Sequence, residues 1–182
     1  MAIVLKKRGR PSKADIAARS SPRVPKARAD TDILIDLKER FEILALLTKG
    51  AIAKNIRAVV VTGAPGVGKT YTVENILSNS GVPHEIVRGT LSAVNLYKLG
   101  YKYRHAGNVI VLDDADSIFN DEDALNILKA FCDTSSTRRV SWLKESNALT
   151  EDDVPKQYDF QGAMIFISNL DFQRFVDEGK NK

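Results

Sequence analysis

Eight residues, GAPGVGKT at positions 63–70, close an apolar run, RAVVVT at 57–62. The β-branched valines suit a buried strand, and Gly63 ends it. The octet fits G-x-x-x-x-G-K-[S/T], a spacing built for holding phosphate groups. Glycine lets the backbone curl so that successive N–H groups point inward at phosphate oxygens. Gly68 allows close approach, Lys69 brings a point charge toward the β- and γ-phosphates, and the Thr70 hydroxyl can bind Mg²⁺. The next segment, TYTVENILSNSG, has Val73, Ile76 and Leu77 at helical spacing and Gly81 as a stop. That helix offers its positive end to the same phosphates. The candidate nucleotide-contact set is therefore Gly63, Ala64, Pro65, Gly66, Val67, Gly68, Lys69, Thr70 and Tyr71. Average residue usage gives this pattern by chance on the order of once in a hundred chains of this length. The strand–loop–helix setting lowers that further.

A second motif lies 44 residues beyond Lys69. NVIVLDD, residues 108–114, is apolar up to its two aspartates, as a central strand covered on both faces should be. Asp113, at the carboxyl end of such a strand, lies at the sheet edge where ligands bind and can hold Mg²⁺ through water. Asp114 follows as the candidate carboxylate for positioning a water. Asp116 reads as a turn or capping residue. GAMIFISN, residues 162–169, is a further core strand ending on the polar Asn169.

The elements between these motifs alternate strand and helix, which predicts an α/β domain with a mainly parallel sheet. Ile33, Leu34, Leu37, Phe41, Leu44 and Leu47 mark a helix that Gly50 should end. HEIVRG is a short strand and LSAVNLYKLGYKYR is helical at least to Leu99. DEDALNILKAFCD is an amphipathic helix capped by Asn120 or Asp121, with acidic residues in its first turn. RRVSWL reads as a strand, one arm of a hairpin, and SNALTEDDVPKQYD as a polar connection.

The net charge of +4 hides an asymmetry: residues 1–30 hold nine Lys/Arg against two Asp, while the rest of the chain carries −3. Residues 1–30, with Pro11, Pro22 and Pro25, read as a disordered basic tail; residues 31–182 read as the core domain. One cysteine, Cys132, excludes an internal disulfide and fits packing; two histidines make a zinc site a poor fit. No apolar run reaches the ~20 residues of a membrane span, and a cytoplasmic location, that of a host cell if the protein is viral, is expected.

The two motifs, with GAMIFISN behind them, resemble the AAA+ ATPases over about Asp32 to Leu170, with Gly63–Thr70 as Walker A, Val109–Asp114 as Walker B and Asn169 as the sensor-1 residue. LDDADSIF, SSTRRVSW and FQGAMIFISN together look like a group of bacteriophage-encoded ATPases. The resemblance implies a P-loop core with strand order 5-1-4-3-2, a helical lid, rings of identical subunits and an arginine supplied by a neighbour. It implies ATP and Mg²⁺ as ligands, with Lys69, Asp114 and Asn169 as the catalytic set and Thr70 and Asp113 at the metal. Two departures stand out. Only 13 residues follow Asn169, so the chain reads as truncated before the arginine finger and lid. Asp114 stands where the family commonly has Glu, one methylene longer; either the site is built closer around it, or turnover is slow.

KKRGRPSK, residues 6–13, holds Arg8-Gly9-Arg10-Pro11, which resembles the core of an AT-hook. A narrow A·T minor groove attracts inserted arginines, and glycine clears the groove floor. The alternative is a solvated basic tail without sequence preference. YKLGYKYR, residues 97–104, interleaves tyrosines with cations: either a single-strand contact or a helix packed on the core. Arg138, Arg139 and Trp142 present the same choice, with Trp142 reading as buried. The expectation is Mg-dependent ATP hydrolysis in a phage DNA transaction such as replication or recombination. A DNA-binding adaptor with a non-hydrolysing ATP switch, or a P-loop small-molecule kinase, are the alternatives.

Overall fold

The computed structural model describes residues 30–169. The tail motif Arg8–Pro11 and the residues after Asn169 lie outside them. Two units divide the chain, residues 1–35 and 36–182; the described part of the first is the start of helix α1.

Helix α1 (Asp30–Ile52) leads into β1 (Ala58–Thr62) and α2 (Lys69–Ser80). Next come β2 (His84–Arg88), α3 (Ala93–Lys102) and β3 (Val109–Asp113). A short 3₁₀ helix (Asp116–Asn120) precedes α4 (Glu122–Cys132). The remaining elements are β4 (Arg139–Ser141), α5 (Asn147–Glu151), β5 (Gln157–Asp159) and β6 (Ala163–Ser168).

The main sheet has four parallel strands in the order β1-β6-β3-β2. With β6 counted as the fourth core strand, this is the expected order without its fifth strand, and β1 is an edge among the described residues. β3 and β6 are buried along their whole length, which their unbroken apolar sequences require. Side chains alternate across the sheet with period two. Val109, Val111, Ile165 and Ile167 face Leu44 of α1 and Val73 and Leu77 of α2. Ile110, Leu112, Met164 and Phe166 face Leu96 and Tyr97 of α3 and Ile127, Leu128 and Phe131 of α4.

The helix caps follow the sequence in part. Asp121 caps α4, its carboxylate accepting from the N–H groups of Asp123 (2.9 Å) and Ala124 (3.2 Å). Gly81 closes α2 at φ 68°, a left-handed conformation glycine adopts without penalty. Gly50 does not end α1. The helix runs on to Ile52, and a Cβ on Gly50 would strike the Ile56 side chain, so close approach explains this glycine. The Gly50 carbonyl takes both turn amides, Asn55 (2.9 Å) and Ile56 (3.2 Å).

The polar connection 146–159 holds more than expected: the short α5, and β5, which pairs antiparallel with β4. Three-residue strands are too brief for a periodic signal. Tyr97 and Tyr103 are buried, and Tyr97 packs 4.9 Å from Tyr158 and 5.9 Å from Trp142 by ring centroid. The 97–104 segment therefore spends its aromatic faces on the core and the hairpin. The Tyr97 hydroxyl donates to the Pro155 carbonyl (2.8 Å), and burial pushes its pKa up to about 12. Trp142 is buried beside it, and the Cys132 thiol is raised by burial, consistent with packing. Among the described residues no helix is long and apolar enough to cross a membrane.

Candidate nucleotide site

The carboxyl ends of β1, β3 and β6 lie together because all three strands are parallel and in register. Each delivers one part of a cleft of about 320 Å³ lined by residues 65–71 together with Asp113, Asp114, Ile167 and Asn169.

After β1, the loop needs left-handed backbone at Gly66 (φ 76°) and Gly68 (φ 97°), which side chains rarely tolerate. Gly68 also lies against Phe41, whose ring would sit 3.8 Å from any Cβ there. Helix α2 then starts with no side-chain cap and no acid in its first turn. Helix α4, by contrast, has Asp121 as its cap and Glu122 and Asp123 beside it. The uncapped start of α2 keeps its N–H groups and positive dipole end open to an anion.

Lys69 is buried, and its ammonium is held by the carbonyls of Gly63 (2.8 Å) and Ala64 (2.9 Å) and by Asn169 Oδ1 (2.9 Å). The other face of the Asn169 amide donates from Nδ2 to Asp114 Oδ1 (2.8 Å). One amide thus ties the lysine at the end of β1 to the acid at the end of β3. The Thr70 hydroxyl donates to Asp113 Oδ1 (2.9 Å). This places a hydroxyl and a carboxylate side by side, the hard oxygen pair that Mg²⁺ takes. Tyr71 lies at the mouth of the cleft, three-quarters exposed.

Asp114 has φ 51°, and its N–H donates to the Ile167 carbonyl (2.9 Å). Aspartate is enriched several-fold in this left-handed region among non-glycine residues. The backbone turns out of the strand at this position and carries the short side chain to Asn169. The conformation itself therefore favours Asp over the longer Glu.

Two features escaped the sequence reading. Arg88 pairs with Asp113 Oδ2 (3.4 Å) and with Glu74 Oε2 (2.8 Å), so the free oxygen of Asp113 faces a cation. The register Arg88↔Asp113 puts both at strand ends, and aligning HEIVR with VIVLD would have shown it. An apolar groove of about 510 Å³ also adjoins the loop, lined among others by Leu37, Phe41, Leu44, Val61 and Val67. Asp116 accepts from the Ser168 hydroxyl (3.0 Å), which joins the 3₁₀ helix to β6.

A parallel α/β sheet with a phosphate loop after its first strand, and a carboxylate at the end of a buried neighbour, defines a P-loop nucleotide-binding domain. A family profile narrows the class. The "ATPase family associated with various cellular activities (AAA)" matches residues 59–167, from within β1 to within β6. The chain belongs to the AAA family. It is also 34% identical over 152 residues to the "Uncharacterized 36.7 kDa protein in nrdC-mobD intergenic region" of Enterobacteria phage T4. That alignment takes in 81% of this chain and 46% of the phage protein, so the chain spans about half the length of this relative. No solved structure matches the chain.

Proposed function

We propose that the protein binds Mg-ATP in the cleft at residues 63–70 and hydrolyses it, with Asp114 positioning the attacking water. The observation that carries this reading is the single hydrogen-bonded network from Lys69 through Asn169 to Asp114, beside the Thr70–Asp113 pair. Lys69 would exchange the Gly63 and Ala64 carbonyls for phosphate oxygens, which are stronger partners for an ammonium. Asn169 would orient a water between itself and Asp114, and Asp114 would accept its proton. Thr70 and Asp113 would hold Mg²⁺, which would supply positive charge against the charge developing on the phosphates. Asp113, steadied by Arg88, would hold the metal's water shell. The groove beside Phe41 has the apolar character that takes a flat base.

AAA proteins commonly assemble into rings. A ring would let a neighbour's arginine complete the site, a contribution of ~10³–10⁵ in rate in related phosphoryl transfer. The basic segment 1–30 with Arg8, Gly9, Arg10 and Pro11 suits an A·T-rich minor groove, and a phage DNA transaction is the setting that fits both halves of the chain.

Phosphate release from Mg-ATP, with and without A·T-rich duplex DNA, tests the reading. Turnover that disappears in Lys69→Ala supports it. Bound ATP without turnover would replace it with a nucleotide-dependent switch, and phosphate passed only to an added acceptor would make it a kinase.

A further inference from the structure

The opposite end of the sheet holds a second group of cations. Arg57 precedes β1 and Gly162 precedes β6, so both lie one strand length, roughly 16 Å, from the nucleotide cleft. Arg138 is only 8% exposed. Its guanidinium donates to the carbonyls of Phe131 (2.7 Å) and Gly162 (2.9 Å) and lies 5.1 Å from the Phe160 ring centre. Arg57 donates to the carbonyls of Asp133 (2.7 Å) and Ser135 (2.8 Å). All four acceptors are neutral. Among the described residues no carboxylate forms an ion pair with either arginine.

Burial first, and then the charge of Arg57, push Arg138 below the ordinary arginine value. Asp133 acts the other way: the Ser135 hydroxyl (2.7 Å) and N–H (3.3 Å) keep its carboxylate ionised, but it is exposed and does not line the space between the arginines. The neighbouring Cys132 thiol, raised by burial, brings no negative charge. Two repelling cations with no carboxylate in direct contact are costly, and an anion between them would relieve that cost.

A cavity of about 190 Å³ opens at this point, lined by Lys54, Arg57, Ser136, Arg138 and Gln161 among others and by no acid. Lys54 reaches it from a left-handed turn residue (φ 68°) after α1. Three cations, a hydroxyl and an amide are the side chains a tetrahedral oxyanion needs.

We propose that this cavity is a phosphate-group site, distinct from the loop at 63–70. The ligand carries its charge on phosphate oxygens, either as free phosphate or as the phosphodiester of a nucleic-acid strand. The site stands whether or not the nucleotide cleft hydrolyses ATP.

Amide spectra of the ¹⁵N-labelled full chain, carrying Lys69→Ala to silence the loop, test the proposal. Inorganic phosphate should give saturating shifts at Ser136, Gln161 and Gly162, and chloride at matched ionic strength should not. Arg57→Gln should weaken phosphate binding by about tenfold or more, since a hydrogen bond to a charged group contributes ~1.5–3 kcal/mol. Lys54→Asn, which keeps a residue suited to the left-handed turn, should weaken it less. It serves as the second probe if the arginine variant misfolds. Shifts confined to residues 63–70, an equal response to chloride, or unchanged affinity in both variants would overturn the site. A short single-stranded oligonucleotide then separates the sources: competition with phosphate assigns the phosphodiester, and its absence assigns the free ion.

Discussion

The two ends of the parallel sheet carry cations in opposite ways. At the carboxyl end the charges meet side-chain partners in two adjoining networks: Lys69 with Asn169 and Asn169 with Asp114, and Thr70 with Asp113 and Arg88 with Asp113 and Glu74. At the amino end Arg57 and Arg138 meet carbonyls alone. The first arrangement can exchange its partners for a ligand without losing the fold, because the strands and helices around it are held by apolar packing. The second stitches the loop after α4 to the starts of β1 and β6, so its arginines have a structural role that any ligand would share.

Substitution at each end should separate these roles. The largest effect belongs to Lys69→Ala, which should remove tight nucleotide binding, by about 100-fold or more in a titration, while the thermal midpoint stays close to that of the parent. A parallel collapse of the fold would erase the distinction between the two ends. Asp114→Asn comes next: the rate should fall by ~10²–10³, as when a positioned catalytic group is lost, with ATP affinity within a few-fold of normal. Asp114→Glu should lower the rate less than that and destabilise modestly, because the longer acid is less at home at φ 51°.

Arg138→Met should behave in the reverse way. It leaves the Phe131 and Gly162 carbonyls without their donors and should cost about 2–4 kcal/mol in denaturant unfolding, with nucleotide affinity nearly unchanged. The smallest effect lies away from both ends, at the Tyr97–Tyr158 pair. The Tyr158 hydroxyl donates to the Tyr97 carbonyl (2.8 Å), and burial raises both phenols, Tyr97 to about 12. A phenol with a raised folded-state pKa stabilises fully below the unfolded value near 10 and loses that contribution as pH rises through the folded value. Unfolding measured from pH 9 to pH 12 should therefore show alkaline destabilisation that Tyr97→Phe reduces.

The ends also differ in how far the sequence reveals them. The proposed nucleotide end is spelled by two contiguous runs, GAPGVGKT and VIVLDD, because a Gly-rich loop is local backbone geometry and a carboxylate at a strand terminus closes a continuous apolar run. The alternation of strands and helices carried the α/β class, the two motifs with GAMIFISN behind them carried the family resemblance, and the fully apolar β3 and β6 announced the sheet centre. Arg88 was hidden because its role depends on strand register, which the order of residues does not state. The Arg57–Arg138 pair was hidden more deeply: it joins residues 81 positions apart, through carbonyls that any residue can supply. The α5–β5 segment was missed because strands of three residues leave no period to detect. The left-handed backbone of Asp114 supplies the physical reason for its shorter acid, which residue type alone left open between a closer-built site and a slow one.

Single-turnover hydrolysis of Mg-ATP by Asp114→Asn, with binding followed in the same sample, decides whether Asp114 positions the attacking water. ATP should bind with near-normal affinity and be cleaved at a rate lower by at least ~10² than in the parent. A parent-like cleavage rate would show that Asp114 does not position the water, and would contradict the assignment of the Lys69–Asn169–Asp114 network as the hydrolytic site.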